Sequence, residues 1–108
     1  MPSAAKPDLD PLADLRRRYI VHLATLGPEL GGAMEEVSAT RRGIAIAALA
    51  HPVAGTSGSL GFDDVSRAAF LLEAAAQEHE RGLASLEHLR IALAAMLDAI
   101  DAVVLSAV

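Results

Sequence analysis

Four successive stretches of the chain carry apolar residues at helical spacing, and that repetition limits the fold more than anything else in the sequence. Leu12, Leu15, Tyr19, Leu23, Leu26, Leu30, Met34 and Val37 make the first stripe, and Ile46, Leu49, Val53, Thr56 and Leu60 the second. Val65, Ala69, Leu72 and Ala76 make the third, and Leu86, Leu89, Leu93, Met96, Ile100, Val103 and Ala107 the fourth. Each repeats every three to four residues, the period of one buried helix face. Only 3% of the 108 residues are aromatic and none is tryptophan, against 53% hydrophobic, so the core must be built from Ala, Leu, Ile and Val. Such side chains suit closely packed helices. Short connections between four helices favour antiparallel neighbours, giving an all-α, up-down-up-down four-helix bundle.

Punctuation supports that division. Residues 1–8, with Pro2 and Pro7, read as a flexible tail ahead of a single domain over 9–108. Asp10-Pro11 offers an N-cap carboxylate followed by proline at the first helical position. Gly27-Pro28 predicts a kink or restart in the first helix, because proline removes a donor and crowds the preceding turn. Ser38-Ala39-Thr40 are candidate caps for the second helix, which then runs to about Leu60. Gly61 is placed to end it in a left-handed conformation, Asp63 or Asp64 to cap the third helix, Gly82 to end that one, and Ser85 to cap the fourth.

Composition excludes several classes of function. The formal net charge of −5 and the lack of a basic patch with interleaved aromatics argue against nucleic-acid binding. The most apolar segment, Leu83 to Val108, is broken by Glu87, Arg90, Asp98 and Asp101 on one helical face, so it reads as a bundle helix, not a membrane span. No cysteine is present, and His22, His79 and His88 are scattered without ligand spacing, so no metal site is expected. No signal core opens the chain, and a cytoplasmic location follows by default. A single bundle accounts for the apolar pattern as a monomer. No nucleotide-binding glycine loop or nucleophile elbow occurs, so the chain has no means of its own to use ATP.

Within the second stripe's helix, His51 lies roughly opposite the buried face. Ala47, Ala48, Ala54, Gly55 and Gly58 share its side, none with a side chain longer than a methyl group, so a large object can approach the imidazole. The run His51-x-x-x-Gly55-x-Ser57-Gly58-Ser59-x-Gly61-Phe62 resembles the signature of the histidine-containing phosphotransfer (HPt) domain, most of all the phosphorylatable N-terminal domain of chemotaxis histidine kinases. The resemblance implies a phosphoryl carrier without kinase activity, phosphorylated on His51. It also implies Glu73, at the family's sequence offset on the next helix, as the carboxylate that orients the histidine. Gln77, one turn further along, is a possible phosphoryl contact. The expected partners are the receiver domain of a response regulator and a hybrid histidine kinase. The receiver would bring the aspartate and the Mg²⁺, and no cofactor would bind this chain. The docking surface implied is Ile44, Ala47, Ala48, Ala54, Gly55 and Gly58, with Ile20 either there or in the core. Arg16-Arg17-Arg18 and Arg41-Arg42 are short basic clusters able to steer an acidic receiver.

Two positions depart from the family pattern. Ala54 stands where a lysine or arginine usually follows the histidine by three. Pro52 follows it directly, which predicts a local kink, since proline inside a helix costs about 3 kcal/mol where uncompensated. These two residues support an alternative: a degenerate HPt-like module that docks a receiver or kinase without taking phosphate.

Overall fold

The computed structural model describes residues 10–40 and 43–107, with the backbone alone for 38–40. The predicted tail and Arg41-Arg42 lie outside the described residues. Four helices follow in order: α1 (Ala13–Thr40), α2 (Ile44–Ser59), α3 (Asp63–Glu80) and α4 (Leu86–Ser106). Each packs on the next, and α4 closes the ring against α1, as an antiparallel four-helix bundle requires. Cross-helix bonds show the antiparallel sense directly. Arg16 Nε donates to the Leu60 carbonyl and Tyr19 pairs with Ser57, so the chain descends α2 as it climbs α1.

The apolar stripes go inside. Leu23, Leu26, Leu30 and Val37 of α1, Ile46 of α2, Val65 and Leu72 of α3, and Leu89 and Met96 of α4 are essentially inaccessible. Three assignments on those stripes are corrected. Leu15 is 47% exposed, and Thr56 and Ala107 are also exposed; in α2 it is Ser57, the next residue, that turns into the core between Val53 and Leu60.

Helix ends account for the remaining differences. Gly61 (φ +90°) and Gly82 (φ +77°) terminate α2 and α3 in the left-handed region. In both cases the residue after the glycine donates back to the carbonyl five before it, Phe62 to Ser57 and Leu83 to Glu78, each at 2.8 Å. Ser85 caps α4, its hydroxyl accepting from His88 N–H at 3.0 Å. Ser38-Ala39-Thr40 do not start α2. They complete the last turn of α1, and Gly43 is the residue before α2. Likewise Phe62, not Asp63 or Asp64, precedes α3; the two aspartates sit in its first turn, where they favour the helix dipole.

Neither proline interrupts its helix. α1 continues through Pro28 and α2 through Pro52, so of the kink or restart expected at Gly27-Pro28 the restart does not occur. Both prolines are exposed, as are Ala24 and Ala48, whose carbonyls lose a donor. The unpaired oxygens therefore lie on the solvent side, where the loss costs least.

One polar contact is built into the core. Ser57 is fully buried and shares a 2.9 Å hydrogen bond with the Tyr19 hydroxyl, while the Tyr19 ring stacks on Phe62 at 6.0 Å. Burial pushes the phenol up, outweighing the Ser57 bond that pulls it down, so it remains a neutral hydroxyl. Tyr19→Phe is expected to cost about 1–2 kcal/mol in urea unfolding, because the Ser57 hydroxyl is left without its partner.

Candidate functional site

α2 owes its position to small residues along one face. Gly43, Ala47, Ala50, Ala54 and Gly58 recur every three or four residues, and the first and last touch α3 closely. A Cβ at Gly43 would lie 2.6 Å from the Ala76 carbonyl oxygen, and one at Gly58 would lie 3.1 Å from Ser66 Oγ. Ala47 and Ala50, between them on the same face, are buried. The two backbones can therefore approach closely enough for side chains on one helix to bridge to the other.

His51 sits at the edge of this seam. Its Nδ1 is 2.7 Å from Glu73 Oε2, with the imidazole 76% exposed and the carboxylate only 17% exposed. A carboxylate can only accept, so Nδ1 is the donor, and in the neutral ring that tautomer places the lone pair on Nε2. α3 thus holds a mostly shielded anion against one nitrogen and leaves the other to solvent. The arrangement suits a nucleophile, since a carboxylate at this distance can stabilise positive charge developing on the ring when the other nitrogen attacks.

Around the imidazole an open groove of about 820 Å³ passes over α2 from α1 to α3. Leu15, Arg18 and His22 line it from α1, and Phe70 from α3, beside Pro52 and Gly55. Phe70 is 64% exposed, one turn before Glu73. Sequence reasoning did not single out Phe70. Its signal was a bulky apolar residue off the buried stripe of α3, and Leu15 was hidden by falling on a stripe that reads as core.

The structure divides the small residues that the sequence grouped together. Ala47 is 5% exposed and belongs to the core, so it offers no docking surface; it is small because α3 packs against that face. Ala54 is half-buried, and its carbonyl accepts from Ser66 Oγ at 2.6 Å. Ile44, Ala48, Gly55 and Gly58 are exposed. Ile20, left open between core and interface, is partly buried beside α4 residues and Phe62, away from His51. Gln77 is exposed on α3 one turn beyond Glu73. Among the described residues no three His, Cys, Asp or Glu side chains gather to hold a metal ion, and no helix is long and apolar enough to cross a membrane.

A four-helix bundle presenting a carboxylate-bound histidine at its surface defines a class, and comparison with known families gives that class its name. The family model described as "Hpt domain" matches residues 14–103, all but the ends of the chain, and the protein belongs to this family. Hpt domains serve histidine phosphotransfer in phosphorelays, as phosphoryl carriers and not as kinases, and they interact with receiver domains and histidine kinases. No curated protein and no solved structure gives a significant match.

The Glu73 carboxylate is the part of the site most open to a quantitative test. Should His51 be the phosphoryl acceptor, Glu73→Ala is expected to slow acceptance by about 10- to 100-fold, the scale known for carboxylates that orient metal-bound histidines. Glu73→Gln, which keeps an acceptor for Nδ1–H, is expected to lose less. Initial rates at fixed donor concentration compare the two.

Proposed function

We propose that this protein carries a phosphoryl group on His51 Nε2 and exchanges it with receiver-domain aspartates in a cytoplasmic multistep phosphorelay. The observation that carries the reading is the 2.7 Å bond from His51 Nδ1 to the shielded Glu73, which in the neutral ring places the lone pair on Nε2 of a side chain that is 76% exposed. In the accepting direction the Nε2 lone pair attacks the phosphorus of an aspartyl phosphate. The N–P bond forms as the P–O bond breaks, and the aspartate leaves as a carboxylate. Transfer through a loose transition state needs alignment and charge neutralisation more than covalent help. The receiver supplies the Mg²⁺, while this chain supplies the nucleophile and an unobstructed approach over Gly55. Gln77 is assigned as a contact to the phosphoryl oxygens once the group is in place.

A second reading, a module that docks a receiver or hybrid kinase without taking phosphate, has one residue in its favour. Ala54 leaves the position three after His51 without a cation. Pro52 gives it little support, since α2 is continuous there.

Incubation with a phosphorylated receiver domain and Mg²⁺ separates the two. An acid-labile, alkali-stable phosphoryl group appearing on this chain is the expected result. Measurable binding to several receivers with no transfer from any would overturn the carrier reading in favour of docking alone.

A further inference from the structure

We infer that Ser66 and Glu80 are positioning residues for His51, the outer rungs of a three-rung polar ladder whose middle rung is Glu73. Ser66, Glu73 and Glu80 are spaced seven apart on α3, about two turns each, so they share one stripe. Each makes a bond to α2 or to Gly43 at its start. Ser66 Oγ–H donates to the Ala54 carbonyl at 2.6 Å, Glu73 accepts from His51, and Glu80 Oε2 accepts from the Gly43 N–H at 2.6 Å. The partners run 54, 51, 43 as the α3 residues run 66, 73, 80, so the ladder fixes the antiparallel register above and below the site.

The middle rung has little else to hold it. With 76% of its side chain exposed, His51 is not fixed by packing, and its hydrogen bond to Glu73 survives only while the two backbones keep their register to a fraction of an ångström. Ser66 prevents sliding and splaying on one side. Glu80 does so on the other, and because α2 has no side-chain cap of its own, the Glu80 carboxylate also satisfies the first backbone donor there. A polar stripe placed next to an otherwise apolar seam thus sets the tautomer of a histidine one rung away.

The functional consequence rests on the phosphoryl-carrier reading, so the primary readout is independent of transfer. ¹⁵N NMR of the His51 ring in the full chain reports which nitrogen carries the proton. Ser66→Ala and Glu80→Ala are each expected to increase the Nε2–H form relative to wild type, and the double variant to increase it more. Glu80→Gln, whose amide oxygen still accepts from Gly43 N–H, is expected to restore most of the wild-type ratio. Ser85→Ala, which removes only the α4 cap, should leave the ratio alone. Phosphoryl acceptance by the double variant should fall roughly tenfold, the scale of a small misplacement of a reacting group. An unchanged ratio in folded Ser66→Ala overturns the proposal, and that variant decides the matter if Glu80→Ala does not fold. A shift of equal size in Ser85→Ala also overturns it, since general loosening would then be the cause. If wild type accepts no phosphate while the ratios move as expected, the positioning role stands and the carrier reading falls.

Discussion

His51→Gln is expected to abolish phosphoryl acceptance while leaving the fold and receiver binding in place. The side chain is largely in solvent and, among the described residues, its hydrogen bond is to Glu73, so the exchange should change stability by no more than about 0.5 kcal/mol. Glutamine still offers an N–H to the carboxylate but has no basic nitrogen, so docking persists and the nucleophile is gone. The measurement is radiolabel transferred from a phosphorylated receiver, with circular dichroism and a binding titration on the same preparations. Three other histidines make the control meaningful. His22 lines the same groove, and His79 donates Nδ1–H to the Ala84 carbonyl at 2.9 Å. Neither has a carboxylate on its ring as His51 does. Undiminished label on His51→Gln would move the acceptor to one of them, His22 first.

Much of the site was legible because the motif around His51 mixes two kinds of constraint. Gly61 and Phe62 are structural: one reverses the chain at a positive φ, and the other stacks on Tyr19. Ser57 is structural as well, buried against the Tyr19 hydroxyl. Only His51, Gly55 and their exposed neighbours face outward. A motif in which folding and chemistry are interleaved over a dozen residues is hard to match by chance, and it pointed to Glu73 through the family offset. The helix count was legible for a different reason, since burial of one face imposes its period on every element. What periodicity does not contain is the angle at which one face ends. Around α2, Ala47 turns toward α3 and Gly55 toward solvent, although both lie near His51 on a helical wheel, and only the position of α3 decides between them. The starts of α2 and α3 were misread for a related reason. Candidate side-chain caps were available at Ser38, Thr40, Asp63 and Asp64, whereas α2 is capped from another helix by Glu80, a partner 37 residues away in sequence.

Gly43→Ala is expected to destabilise the fold by about 2–3 kcal/mol. Gly43 has φ −82°, an ordinary value for any residue, so the cost is steric and not conformational. The added carbon would sit 2.6 Å from the Ala76 carbonyl oxygen and 3.3 Å from its carbon, both backbone atoms inside a helix, which cannot swing aside as a side-chain tip would. Relief requires α2 to move away from α3, stretching the Gly43 N–H to Glu80 bond and, further along the same seam, the His51 to Glu73 bond. The melting temperature should fall roughly 10–20 °C for a domain of this size. Phosphoryl acceptance should slow even at temperatures where the variant remains folded. Gly31→Ala makes the opposite comparison. It lies exposed inside α1 with nothing within 4 Å of the added carbon, so helix propensity alone should raise stability by about 0.5–1 kcal/mol. Thermal and denaturant unfolding of the two variants side by side measures the difference. If Gly43→Ala were as stable as wild type, α2 would have room to relax, and the close approach of α2 to α3 would not be what holds His51 against Glu73.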